Sequence, residues 1–188
     1  MPPSLKSKSE LRLWARQERV SHTSLAPTDF AHFVSHPLMA SARSVAGYLP
    51  MPDELNPLPL LALCHNQLKT VAVPAWNRES QQYRFCRWTP DAPLESGPKK
   101  ITQPIEKLWM TLADLDLVLV PGLAFGRHGE RLGFGAGIYD RLLSSKDSHA
   151  HFIGMAYDWQ LLDSLPQDPH DIRMHAILTP TQFLIPNS

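Results

Sequence analysis

The stretch Leu117–Leu143, LVLVPGLAFGRHGERLGFGAGIYDRLL, decides how the rest of the chain is read. Leu117-Val118-Leu119-Val120 is an apolar run too short for a helix and half β-branched, which predicts a buried strand. Pro121-Gly122 ends it. A loop follows with Gly126, Gly129, Gly133 and Gly135 ahead of Gly137, and with Arg127 and Arg131. From Ile138 to Leu143 the apolar spacing is that of a helix start. Strand, glycine-rich basic loop and helix together form a layout that binds phosphate. Glycines admit oxygens close to the backbone, amides at a helix N-terminus point at the anion, and arginine forks grip it. Neither GxGxxG nor GxxxxGK[ST] is present, so this is not a dinucleotide fingerprint or a Walker loop.

Outward from that stretch, strands and helices alternate. A helix is predicted over 7–20, with Ser7 or Ser9 as cap and Glu10 in its first turn. Its basic face (Lys6, Lys8, Arg12, Arg16, Arg19) is either a solvated surface or a source of Lys8 and Arg12 for an anionic ligand. A second helix is predicted from Pro27-Thr28-Asp29 to His36, ended by Pro37. SVAGYL (44–49) reads as a strand, 58–65 as a helix and 70–74 as a buried strand. Residues 83–88 read as an exposed or edge strand, and the proline-rich 89–104 as a long connection. A strand at 152–157, a short helix at 159–165 and strands at 176–179 and 183–185 complete the chain. This pattern predicts an α/β fold: a single-domain, three-layer, largely parallel sheet over residues 1–188 with helices on both faces. Ligands in such sheets sit at the carboxyl ends of the strands, where Leu49, Pro121 and Tyr157 fall.

Composition narrows the function. The 188 residues carry 18 basic and 18 acidic side chains, which argues against bulk electrostatic binding to nucleic acid. Cys64 and Cys86 lack CxxC spacing, and the nine histidines show no metal-ligand spacing. No apolar run approaches the ~18 residues that span a membrane, and the charged N-terminus is no secretory signal. A cytoplasmic enzyme or binding protein acting as a monomer is the expectation. Glu54 is open between a structural N-terminal charge and a ligand acceptor. Arg127, Lys99 and Lys100 read as solvated charges, and Trp76, Trp88, Trp109 and Trp159 as core.

The order Pro-Gly, then Arg131-Leu-Gly-Phe-Gly-Ala-Gly-Ile-Tyr139-Asp140, resembles the 5-formyltetrahydrofolate cyclo-ligase family. The likeness extends to Lys8 with Leu11-Arg12, to Tyr48–Glu54, and to Pro166–Asp171 near the C-terminus. The resemblance implies conversion of 5-formyltetrahydrofolate and ATP to 5,10-methenyltetrahydrofolate, ADP and phosphate. The γ-phosphoryl group passes to the formyl oxygen, nitrogen 10 attacks the activated carbon, and phosphate leaves. Such chemistry asks the protein for positioning and charge stabilisation.

The resemblance also implies roles for individual residues. Lys8, Arg12, Arg131 and Leu132, Gly133, Phe134, Gly135, Ala136, Gly137, Ile138 and Tyr139 would bind ATP, with Arg131 and Tyr139 catalytic. Leu49, Met51, Glu54 and residues 134–138 would contact the folate. Asp140 and Asp171 would hold Mg²⁺, with ATP and Mg²⁺ as the cofactors. Read alone, Asp140 is equally a charge at a helix N-terminus and Asp171 a turn residue.

The chain departs from the family's usual pattern at Gly126 (aspartate), Ala136 (glycine or lysine), Ile138 (tyrosine) and His175 (aspartate). A second expectation follows: a folate- or nucleotide-binding homologue with reduced turnover, in which Gly126→Asp and Ile138→Tyr restore activity. A sugar-phosphate isomerase or deaminase would need a catalytic group on the loop, which offers only His128.

Overall fold

The computed structural model describes residues 7–22, 30–144 and 148–186. Its helices are α1 (Lys8–Ser21), α2 (Ala31–Val34), α3 (Pro37–Ser41), α4 (Leu58–Asn66) and α5 (Ile138–Leu142). Its strands are β1 (Ser44–Ala46), β2 (Thr70–Asn77), β3 (Gln82–Arg87), β4 (Leu94–Ser96), β5 (Thr102–Pro104) and β6 (Trp109–Met110). They continue with β7 (Leu117–Pro121), β8 (Ala124–Gly126), β9 (Arg131–Leu132), β10 (His151–Met155), β11 (Leu161–Leu162), β12 (Ala176–Leu178) and β13 (Phe183–Leu184). The main sheet has the order β13-β12-β10-β7-β1-β2-β3-β6. Its centre, from β12 to β2, is parallel, and its outer pairs are antiparallel.

Side chains along each central strand alternate between two cores, as the period of two requires. Val45, Val71, Val73, Leu117, Leu119, Ile153 and Met155 face one core with Phe33, Met39 and Leu61 from α2, α3 and α4. Ala46, Ala72, Val118, Val120, Phe152 and Ile177 face the other, with Phe125, and with Tyr139 and Leu142 of α5. The sheet is therefore the middle of three layers, and both faces are buried. That explains why its strands read as continuous apolar runs. A third cluster joins Leu11 and Ala15 of α1 to Leu123, Leu132 and Leu162.

The structure bears out one of the two expected caps and corrects several other expectations. Ser7 caps α1 through a capping box with Glu10. The predicted start of the second helix at 27–29 lies outside the described residues. Pro37 does not simply end that helix: it opens α3 at the first helical position, where its missing N–H costs nothing. Residues 82–87 are not an edge strand, because β6 covers them. The connection 89–104 contains the β4–β5 hairpin. The predicted helix at 159–165 is a 3₁₀ turn, Asp158–Gln160, followed by β11. Within the glycine-rich loop, β8 and β9 pair with each other and β8 with β11, so much of that loop is a small sheet. The seven-residue window around Trp159 is too short for periodicity to separate a turn plus strand from a helix.

The small sheet packs on the large one through Phe125, whose ring approaches Gly154 so closely that a Cβ there would lie 2.4 Å from it. Gly126 is equally confined: an added Cβ would lie 2.2 Å from the Glu130 carboxylate oxygen. Glu130 is buried, and its carboxylate accepts the His128 N–H at 3.1 Å. A carboxylate thus already fills the space beside position 126. Restoring aspartate there places two carboxylates together, and is not the simple gain of function expected from sequence. Gly126→Asp is predicted to lower stability by about 1–3 kcal/mol through overpacking and like-charge repulsion. Urea unfolding measures it, and Glu130→Ala in the same chain is expected to recover part of the loss. An unchanged unfolding midpoint for the single variant would contradict this packing.

Candidate active site

At the carboxyl ends of β1 and β7 lies a cavity of about 370 Å³. Its walls contain every residue assigned a site role from sequence: Lys8, Arg12, Leu49, Met51, Glu54, Arg131 through Asp140, and Asp171. They arrive from four separate parts of the chain. α1 brings Lys8 and Arg12, the turn after β1 brings residues 49–54, the β9–α5 segment brings residues 131–140, and the C-terminal loop brings Asp171.

Arg131 is the central cation. Its side chain is 5% exposed and pairs with Asp140, Nη2 to Oδ1, at 2.6 Å. Nη1 donates to the Pro121 carbonyl at 3.4 Å, and the guanidinium lies 5.8 Å from the Tyr139 ring centre. Its Nε–H and the Tyr139 hydroxyl are buried with no partner among the described residues. Buried polar groups are nearly always satisfied, so these two atoms, sealed from solvent, are exceptions in the wall of the cavity. Burial, then the Glu54 charge, pushes the Tyr139 phenol well above its ordinary range, so Tyr139 is a hydrogen-bond donor and not a base.

The loop backbone carries its own geometry. Gly135 and Gly137 have φ of 98° and 63°, which side chains rarely adopt. Ala136 between them has no positive φ, so its replacement of glycine costs no strain. Arg12 fixes the loop from α1, its Nε donating to the Gly133 carbonyl at 3.0 Å. Gly126 lies outside the cavity wall, whereas Ile138 is part of it.

Glu54 is 7% exposed and accepts the Met51 N–H at 2.9 Å. Burial pushes its carboxyl up to about 7, against the lowering effects of that N–H and of Arg19. At the third corner Lys8 pairs with Asp168 at 2.6 Å and with Asp171. Burial favours neutral Lys8, but its bonds to the two aspartates outweigh this, and its pKa rises. Asp168, His170 and Asp171 have possible ligand atoms within 4.8 Å of one another. Asp140 is not in that group but on Arg131.

Sequence reasoning missed Asp168 and His170, although both flank Asp171. Lys99 is exposed, as the sequence reading expects, and with Ile101 and Thr102 it also completes the wall from the β4–β5 hairpin, which that reading did not foresee. Lys99 and Lys100 both have left-handed φ, 55° and 61°. No periodic signal marks such a turn, and only the preceding Gly97-Pro98 hints at it. None of Trp76, Trp88, Trp109 and Trp159 lines the cavity, consistent with structural roles.

Comparison with known proteins places the chain in a family. The described family of 5-formyltetrahydrofolate cyclo-ligases matches residues 6–180. An enzyme of that name from Mycolicibacterium smegmatis is 32% identical over 157 residues, 79% of each chain. One from Escherichia coli is 31% identical over 153 residues, 79% of this chain and 84% of its own. The solved structure of Aquifex aeolicus 5,10-methenyltetrahydrofolate synthetase has a TM-score of 0.78 at 30% identity, covering 96% of this chain and 93% of that one. With the family matched over nearly its whole length, the chain belongs to the 5-formyltetrahydrofolate cyclo-ligase family.

Proposed function

We propose that this chain closes 5-formyltetrahydrofolate to 5,10-methenyltetrahydrofolate at the expense of ATP, releasing ADP and phosphate. The observation that carries the reading is the convergence of two unlike binding surfaces in one cavity. One is the anion-binding set of Lys8, Arg12, Arg131 and the loop 132–139. The other is the Leu49–Met51–Glu54 wall, apolar apart from a buried carboxylate. On this reading residues 134–138 touch both ligands, because the formyl oxygen has to meet the γ-phosphate there. A cavity of about 370 Å³ is in the usual range for small-molecule sites.

Each residue's task follows from its surroundings. Glu54 accepts N–H groups of the pterin ring, and Leu49 and Met51 pack against it. Arg131, already oriented by Asp140 and the Pro121 carbonyl, stabilises charge on the transferring phosphoryl group. Tyr139 backs Arg131, with its ring centre 5.8 Å from the guanidinium. Gly133 through Gly137 offer backbone N–H groups at close approach.

The cavity lining holds four cationic side chains (Lys8, Arg12, Lys99, Arg131) and four carboxylates (Glu54, Asp140, Asp168, Asp171). A nucleotide triphosphate therefore needs an added cation there. Asp168 and Asp171, with Asp140 nearby in the lining, provide the oxygen donors that Mg²⁺ prefers, and the ion would neutralise phosphate charge. We read the whole chain as one cytoplasmic, monomeric domain. The departures at Ala136 and Gly126 give little support to a homologue without turnover, since one is unstrained and the other lies outside the lining.

With purified protein, methenyl-folate absorbance is expected to rise only when 5-formyltetrahydrofolate, ATP and Mg²⁺ are all present. No rise with folded protein contradicts the reading. As Glu54 titrates near 7, kcat/KM for the folate is expected to fall as pH drops through that value, because protonation removes an acceptor. Glu54→Gln is expected to lower it about 10–100-fold and abolish that limb, with KM for ATP unchanged. Asp140→Asn is expected to raise KM for Mg²⁺-ATP. Asp140→Ala is a poorer probe, since it also strips the buried Arg131 of its partner and lowers stability. The loss should fall below the roughly 3–5 kcal/mol of a fully buried pair, because the Asp140 side chain is 31% exposed.

A further inference from the structure

Arg19 lies in the last turn of α1 and is 4% exposed, although it is a charged side chain outside the cavity lining. A buried guanidinium is retained only where its contacts compensate for lost water. Nη2 donates to the Gly122 carbonyl at 2.9 Å, just past the end of β7. Nη1 reaches the Asp53 carboxylate at 3.4 Å. The guanidinium carbon stands 5.0 Å from the centre of the Phe134 ring. Its Nε–H has no partner among the described residues. The Gly122 carbonyl is itself pinned by a second buried donor, Gln160 Nε2, at 3.0 Å.

These contacts join three pieces that meet nowhere in sequence. Asp53 adjoins Glu54, Phe134 belongs to the glycine-rich loop, and Gly122 caps the central strand. Glu54 and Phe134 line the cavity from opposite segments, and Arg19 stands behind both. Resting on the function proposed above, we propose that Arg19 is a positioning residue. It sets the spacing of Glu54 and Phe134 around the folate ring without touching substrate.

Its charge has a second consequence. Glu54 faces Arg19, Asp53 and the phenols of Tyr48 and Tyr139, and Arg19 is the cation that favours its ionised form. Removing that charge makes Glu54 harder to ionise.

Steady-state kinetics and a pH profile on three variants of the full chain test the role. Arg19→Met keeps length and loses charge. It is expected to raise KM for 5-formyltetrahydrofolate about tenfold, the scale of a small misplacement, with KM for ATP within about twofold. The acidic limb of kcat/KM for the folate is expected to move to higher pH. Arg19→Lys is expected to recover the pH limb, and part of KM, because charge returns without the planar fork. Asp53→Asn, on an exposed partner outside the lining, is expected to raise folate KM about threefold and keeps the test open if Arg19→Met does not fold. Folded Arg19 and Asp53 variants with wild-type folate KM and an unmoved acidic limb would overturn the role. Equal increases in both KM values would do so too, pointing to general loosening. A folded wild-type chain that neither turns over nor binds 5-formyltetrahydrofolate by calorimetry overturns the underlying function as well.

Discussion

The ion pair between Arg131 and Asp140 is the contact on which the site depends. Arg131 belongs to β9 in the small sheet, and Asp140 to α5 against the large one. Between them runs the eight-residue segment 132–139, with two left-handed glycines and no long helix to stiffen it. Pairing at 2.6 Å with a side chain that is 5% exposed closes that segment into a fixed curve. The same guanidinium touches the Pro121 carbonyl, so the curve is referenced to the end of the central strand. Loop, helix and sheet edge are held by one group that also faces the cavity. Because α5 spans only five residues, its dipole contributes little, and anion attraction has to come from side chains and loop amides.

The cavity is balanced and not simply basic. Lys8 is committed to Asp168 and Asp171, and Arg131 to Asp140, before any ligand arrives. On the function proposed above, phosphate oxygens and a divalent cation would exchange into these pairs, each ion replacing a partner of its own sign. The pairing leaves none of these charges without a partner of opposite sign. Glu54 stands apart from it. The cation that favours its ionised form is Arg19, outside the lining, and its elevated pKa reflects burial.

The layered fold was legible because the central strands are buried on both faces. Leu117–Pro121 shows an unbroken apolar run, and α1, α3 and α4 start on a capping serine or a proline. The site was legible where chemistry is written in local order, as in Arg131 through Asp140. What escaped had no local period. The turn at Lys99 and Lys100 enters the wall through two left-handed residues in a proline-rich stretch. β8, β9 and β11 are two or three residues long and exist only because they pair with one another and pack on α1. Glu130 beside Gly126 is a matter of space, which spacing along the chain does not encode. Arg19 looked like one more charge on a basic helix face, and only its burial separates it from Arg16.

The central claim is that one cavity brings the formyl oxygen of the folate to the γ-phosphate of ATP. The most direct measurement is the fate of that oxygen. With 5-formyltetrahydrofolate carrying ¹⁸O in its formyl group, the released inorganic phosphate is predicted to contain one ¹⁸O atom per turnover, read by mass spectrometry. Phosphate released without label, with ¹⁸O appearing in water, would mean that ATP cleavage and ring closure do not meet at this oxygen, and would contradict the shared site.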